Sequence, residues 1–160
     1  MGFDTVVAAI MVTAIIVAVA YTFLAGSTTI AEYSIESYKE AVQMAVKKLR
    51  SDVTIINVTY DNSTNTITAY FKNTGAERYP DFTEFDTILY GKTDSGDMVA
   101  FYLNSTSYTI VSELINPGIF DPHELAKLDS PLTQPLANGS YVLLLCTPNA
   151  VCDSYDFRIP

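Results

Sequence analysis

From Thr5 to Ala31 the chain carries no charged side chain, and Val6–Ala25 is built almost entirely from Val, Ala, Ile, Met, Leu and Phe. Twenty such residues, at about 1.5 Å each, match the roughly 30 Å hydrocarbon core of a bilayer. A helix is also the one single-segment structure that satisfies its own backbone N–H and C=O groups in lipid. The segment therefore reads as one membrane-spanning helix, with Val6, Ile10, Val17, Tyr21 and Leu24 among the side chains that would meet lipid or neighbouring helices. A cleaved secretory signal fits less well. Ala18-Val19-Ala20 offers small residues, but Met1-Gly2-Phe3-Asp4 has no Lys or Arg and the apolar run is long. Myristoylation at Gly2 would need Ser or Thr where the chain has Val6. A buried helix of a soluble core is usually 10 to 14 residues in its apolar run.

Charge divides the remainder. Residues 1–50 balance Asp4, Glu32, Glu36 and Glu40 against Lys39, Lys47, Lys48 and Arg50. The net charge of −9 therefore sits wholly on residues 51–160. Such a surface repels nucleic acid and anionic lipid and stays soluble through its own charge.

Ala31–Arg50 lacks Gly and Pro, and Ile35, Tyr38, Val42, Ala45 or Val46, and Leu49 recur at helical spacing. Acids come early and bases late, as the helix dipole prefers. Gly26-Ser27-Thr28-Thr29 is either a joint or a weak place in one helix on the order of 70 Å long. The stripe would pack on the chain's own C-terminal domain or on other helices of an assembly. This organisation predicts two domains, a transmembrane and stalk helix over 1–50 and a sandwich over 51–160.

After Ser51 the apolar period becomes two. Thr66–Lys72 places Ile67, Ala69 and Phe71 on one face, and Ile56, Val58 and Tyr60 alternate within Asp52–Tyr60. Asp61-Asn62-Ser63-Thr64-Asn65 between them is turn chemistry, which predicts a hairpin. Further strands are expected at Phe85–Tyr90, Met98–Leu103, Tyr108–Val111, Tyr141–Cys146 and Tyr155–Ile159. Asn116–Gly139, with Pro117, Pro122, Pro131 and Pro135, reads as a long loop holding at most a helical turn. About seven strands in this length fit one antiparallel β-sandwich. The fold class is α + β: a long N-terminal helix, transmembrane then amphipathic, followed by that sandwich.

Counting basic residues after the span places the sandwich in the cytoplasm. Two features oppose this. Four Asn-X-Ser/Thr sequons occur, at Asn57, Asn62, Asn104 and Asn138, and three fall in predicted turns or strand ends; Asn57 lies within a strand and is the least accessible of them. The two cysteines, Cys146 and Cys152, stand at the ends of a predicted hairpin turn, where a disulfide would report an oxidising compartment. The sandwich is therefore expected outside the cell.

Residues that carry chemistry are sparse. His123 stands alone between Pro122 and Glu124 and reads as a surface residue. Asp94-Ser95-Gly96-Asp97 resembles a calcium-loop fragment but lacks the remaining ligands, so a hairpin turn is expected. Asp81, Glu84 and Asp86 read as a solvated edge. The residues suggest no enzyme, no cofactor or metal, and no small-molecule substrate.

Met1-Gly2-Phe3 directly before a span, an amphipathic helix, and the strand-and-turn Ala69-Tyr70-Phe71-Lys72-Asn73-Thr74-Gly75 together resemble the F-type accessory proteins of the archaellum, the archaeal motility filament, which are related to archaellins and, through the N-terminal helix, to type IV pilins. That resemblance implies an immunoglobulin-like or archaellin-like sandwich and a stator role. The helix would hold the protein in the membrane, and the head would bind the surface layer or a partner accessory subunit. Homo-oligomers are compatible with it. The alternative is a filament subunit whose N-terminal helix packs in the filament core. Archaellins and pilins open on a short basic leader, whereas this chain opens Met1-Gly2-Phe3-Asp4, which favours the anchor.

Overall fold

The computed structural model describes residues 2–160; Met1 of the Met1-Gly2-Phe3 opening lies outside them. The chain forms two compact units, Met1–Met44 and Ala45–Pro160.

Helix α1 runs from Gly2 to Arg50, straight through Gly26–Thr29, so the chain has a continuous helix there and no joint. Hydroxyl chemistry explains the continuity. Ser27 donates to the Leu24 carbonyl at 2.9 Å, and Thr28 and Thr29 donate to that of Ala25 at 2.9 and 3.0 Å. Each polar side chain is satisfied within its own helix, which lets Ser and Thr sit in or beside a lipid-facing stretch. The last turn carries Lys47, Lys48 and Arg50, as the dipole favours.

The second unit holds eight strands: β1 Val53–Asp61, β2 Thr66–Asn73, β3 Asp86–Thr93, β4 Met98–Tyr102, β5 Ser107–Ser112, β6 Leu125–Pro131, β7 Gly139–Cys146 and β8 Cys152–Ile159. They form two four-stranded antiparallel sheets, β1-β2-β6-β5 and β4-β3-β7-β8. Ile67, Ala69 and Phe71 of β2 are fully buried, as their alternation predicts. They meet Leu89 of β3 and Leu143 and Leu145 of β7 in the shared core. Phe71 also anchors an aromatic cluster, with its ring centroid 5.4 Å from Phe120 in an edge-on arrangement. Phe82 stacks on Tyr108 at 4.9 Å.

Two expectations fail. β6 lies inside the stretch read as a loop, and it is a central strand hydrogen-bonded to both β2 and β5. Its inward residues are Ala126, Leu128 and Ser130, alternating with Lys127 and Asp129 and ending at Pro131. Small inward side chains and flanking prolines gave it little apolar signal, while its neighbours supply the large side chains that close the core around it. The second failure is in β1. Register slips between Ile55 and Asn57, a bulge against β2. Val53 and Ile55 point inward before it and Val58 after it, so Ile56 faces out, about half exposed. One extra residue in a strand inverts its facing from that point on, which an alternation count cannot foresee.

Candidate functional site

The most unusual local structure is where α1 enters the head. The final carbonyls of a helix lack partners within the helix. Here the last of them, that of Arg50, and the Asp52 carbonyl just beyond are taken by the turn after β2. The Arg50 carbonyl accepts from the Ala76 and Glu77 amides at 2.7 and 3.2 Å, and the Asp52 carbonyl from the Thr74 and Gly75 amides at 3.2 and 3.0 Å. Side chains reinforce the seam. Arg50 donates to the Ala76 carbonyl at 3.1 Å, Thr74 donates to the Asp52 carboxylate at 2.8 Å, and Asn149 donates to the Ser51 hydroxyl at 2.7 Å. The two backbones come so close that a Cβ on Gly75 would stand 2.4 Å from both the Arg50 carbonyl oxygen and the Asp52 nitrogen. Glycine is required there by contact. The Asn73-Thr74-Gly75 element is thus a clamp on the helix end.

Beneath the clamp lies a buried polar knot that the sequence reading passed over. Asn73 is fully buried. Its side-chain amide donates to the Glu77 and Phe120 carbonyls at 2.8 and 3.3 Å, and its side-chain carbonyl accepts from the Gly75 amide at 3.1 Å. Its backbone N–H donates to the Glu124 carbonyl at 3.1 Å, and its backbone carbonyl accepts from the His123 amide at 2.8 Å. Glu124, also fully buried, accepts from the Leu114 and Asp121 amides at 2.6 and 2.9 Å. Buried Asp121 accepts from the Asn116 backbone and side chain at 3.1 and 2.8 Å and pairs with Arg78 at 3.1 Å. These carboxylates tie the 113–121 loop to the end of β2. Nothing in Asp121-Pro122-His123-Glu124 marks two of the four as interior; only tertiary contact does. His123 itself is exposed, with a left-handed φ of 71°.

The other candidates are scattered. Cys146 and Cys152 are disulfide-bonded and are register partners at the end of the β7–β8 hairpin. Asn57, Asn62, Asn104 and Asn138 are all exposed. Asn57, expected to be the least accessible, sits at the bulge with its side chain outward. Asp94–Asp97 forms the β3–β4 turn, with Gly96 at φ 99°. Asp81 and Glu84 are exposed in the connection before β3. Three backbone and hydroxyl hydrogen bonds, those from Ser63 foremost, hold the Asp61 carboxyl below its usual range. Val6, Ile10, Val17, Tyr21 and Leu24 are all exposed on α1. Among the described residues no three His, Cys, Asp or Glu side chains gather as a metal site.

The two outer faces of the head differ sharply. On β1-β2-β6-β5, Thr59, Thr68, Asp129 and Ser107 form one row across the sheet, and Asn57, Tyr70, Lys127 and Thr109 the next. Thr68 and Lys127 both bond Asp129, each at 2.7 Å. Partial burial pushes the Asp129 carboxyl up, but these bonds outweigh it and hold the group below its usual range. On β4-β3-β7-β8, the matching rows read Tyr102, Ile88, Leu144, Ser154 and Ala100, Tyr90, Val142, Asp156. Tyr102 donates to Asp86 at 2.6 Å, and this bond, with the carboxylate's charge, raises the phenol's pKa.

The model of the archaeal-type flagellin family matches residues 2–153. A protein of Archaeoglobus fulgidus, described only as uncharacterized, is 73% identical over 159 residues, covering 99% of this chain and 98% of that one. Among solved structures, the archaellum periplasmic stator protein FlaG of Sulfolobus acidocaldarius is 24% identical, with 67% of this chain and 99% of that chain covered and a TM-score of 0.47. The stator complex of FlaF and FlaG from the same organism gives 25% identity, 66% and 87% coverage and a TM-score of 0.49.

Proposed function

This chain belongs to the archaeal-type flagellin family, and from that premise we propose that it is a membrane-held stator component of the archaellum. One helix among the described residues, α1, is long and apolar enough to cross a membrane. The observation that carries the reading is the clamp. A part that resists a turning motor must pass force from its anchor into its head. Here the last helical residue, Arg50, is held through its carbonyl by the Ala76 and Glu77 amides, and only Ser51 and Asp52 separate it from β1. The head stands outside the cell; the disulfide and the four exposed sequons support that side of the membrane. Its partner there is the surface layer or a second accessory subunit. Binding and positioning, with no chemical conversion, account for its residues.

The filament-subunit reading draws on the exposed stripe of α1, where Ile35, Tyr38 and Val42 stand uncovered. Mechanical shearing of cells separates the two. A stator component stays with the membrane fraction, and recovery of the chain in sheared filaments overturns the proposal. Protease added to intact cells should remove the head; a head that is cut only after lysis reverses its placement.

A further inference from the structure

The corner where β4 passes to β5 encloses an open hollow of about 410 Å³. Small-ligand sites of this size pair aromatic walls with a few placed polar groups. Phe82 and Tyr108, stacked within 8° of parallel, supply two of the rings here. Tyr102 supplies a third; it is 60% exposed, and its hydroxyl bond to Asp86 fixes the ring. Thr83 and Thr106 bring hydroxyls, and among the described residues no charged side chain lines the hollow.

That lining says what fits it. A charged ligand would leave water for a site that holds no counter-charge. Ring faces carry negative charge density and attract C–H groups, while hydroxyls exchange hydrogen bonds with other hydroxyls. A neutral sugar offers both, C–H groups on its ring face and hydroxyls around its edge.

An attachment point for a sugar is part of the lining itself. Asn104 lines the hollow and opens the sequon Asn104-Ser105-Thr106. The Asn104 amide donates back to the Tyr102 carbonyl at 3.2 Å, and the Thr106 hydroxyl donates to the Leu103 carbonyl at 2.8 Å. This turn sets Tyr102 and Asn104 around the same space, with Leu103 buried between them. Asn57, Asn62 and Asn138 are not among the lining residues.

We propose that Asn104 is N-glycosylated and that the first sugar of its glycan lies in this hollow against the ring of Tyr102. The modification goes beyond the stator reading but rests on the head standing outside the cell, where sequons meet the transferase. The donor is a lipid-phosphate-linked glycan. The Asn104 side-chain nitrogen bonds to the anomeric carbon and gives up one proton, as the bond from that carbon to the phosphate oxygen breaks and its electron pair leaves with the phosphate.

Mass spectrometry of peptides from the full chain, purified from its own membranes, tests the attachment. Sugar on Asn104 is expected, and a bare Asn104 overturns the proposal. Sugar at Asn57, Asn62 or Asn138 with Asn104 bare overturns it while upholding the exterior placement, and protease on intact cells decides that placement separately. Hydroxyl-radical footprinting of the same full chain tests the seat. Asn104→Gln should raise the oxidation rate of Tyr102 by about threefold, because a seated ligand and its walls hide most of their shared surface. Met98, 73% exposed at the far end of β4, should keep its rate. A Tyr102 rate that stays the same, or that rises only in step with Met98, overturns the seat in the hollow.

Discussion

Sheets β1-β2-β6-β5 and β4-β3-β7-β8 bury the same kind of residue against each other and face the outside in opposite ways. The first is backed by an interior of hydrogen bonds. Asn73 at the end of β2 and Glu124 just before β6 are fully buried and polar, and through them the sheet holds both the helix end and the 113–121 loop. Its outward rows are threonines and a Lys127–Asp129 pair. The second is largely apolar within, at Leu89, Tyr141, Leu143 and Leu145 with Thr87 the buried polar exception, and its outer centre is apolar as well. The difference teaches where specificity resides in each. Sheet one has its polar groups inside, where they are expensive to leave unpaired and so define one geometry. Sheet two has its apolar groups outside, where they gain only when something covers them.

The contrast can be broken most decisively at Glu124. Glu124→Ala strands the buried Asp121 amide and removes the partner of the Leu114 amide, and should cost about 3 kcal/mol in denaturant unfolding of the protein. Tyr90→Ser on the other sheet's outer face should cost well under about 1 kcal/mol by the same measurement. Equal losses would erase the distinction between the sheets. Gly75→Ala comes next. A methyl at 2.4 Å from two backbone atoms forces the clamp apart, for about 2 kcal/mol, and proteolysis between Arg50 and Val53 should accelerate. Cys146→Ser tests sheet two at its rim. The closed loop is short, so thermal unfolding should show a loss of about 2 kcal/mol under oxidising conditions and none in reductant. Equal melting of mutant and parent without reductant would refute a stabilising bridge. The smallest effect belongs to Asp129. Its carboxyl is held below the usual value in the folded state, so its contribution is present above the unfolded value of about 4 and is lost as pH falls through the folded one. Asp129→Asn should lower stability slightly at neutral pH, because the pair is partly exposed, and flatten the stability profile below about pH 4.

Much of this fold is legible in the sequence where a period is long and pure. The uncharged run Thr5–Ala31 announces α1, and Ile67, Ala69 and Phe71 announce β2, because each pattern repeats enough times to have one reading. β6 is hidden because a strand between two others needs no large side chain of its own; Ala126 and Ser130 suffice when Phe71 and Tyr108 come from its neighbours. The facing of Ile56 is hidden by a bulge whose cause lies in the partner strand's register. At the candidate site, Asn73-Thr74-Gly75 stands out as a turn, but its grip on Arg50 joins residues some 25 positions apart, and no local pattern records that meeting. Asp121 and Glu124 look like any other acids of an acidic head until the loop folds over them.

By itself the sequence determined a membrane-length helix, a following two-period β domain and an acidic exterior, since each depends on local composition and spacing alone. Tertiary structure decided that Gly75 clamps the helix, that Asp121 and Glu124 are interior, and that β3 displays Asp86 and Lys92 at opposite ends of an apolar face. Those properties arise from which strands become neighbours and in what register, a choice made by packing of the whole core and not by any one segment.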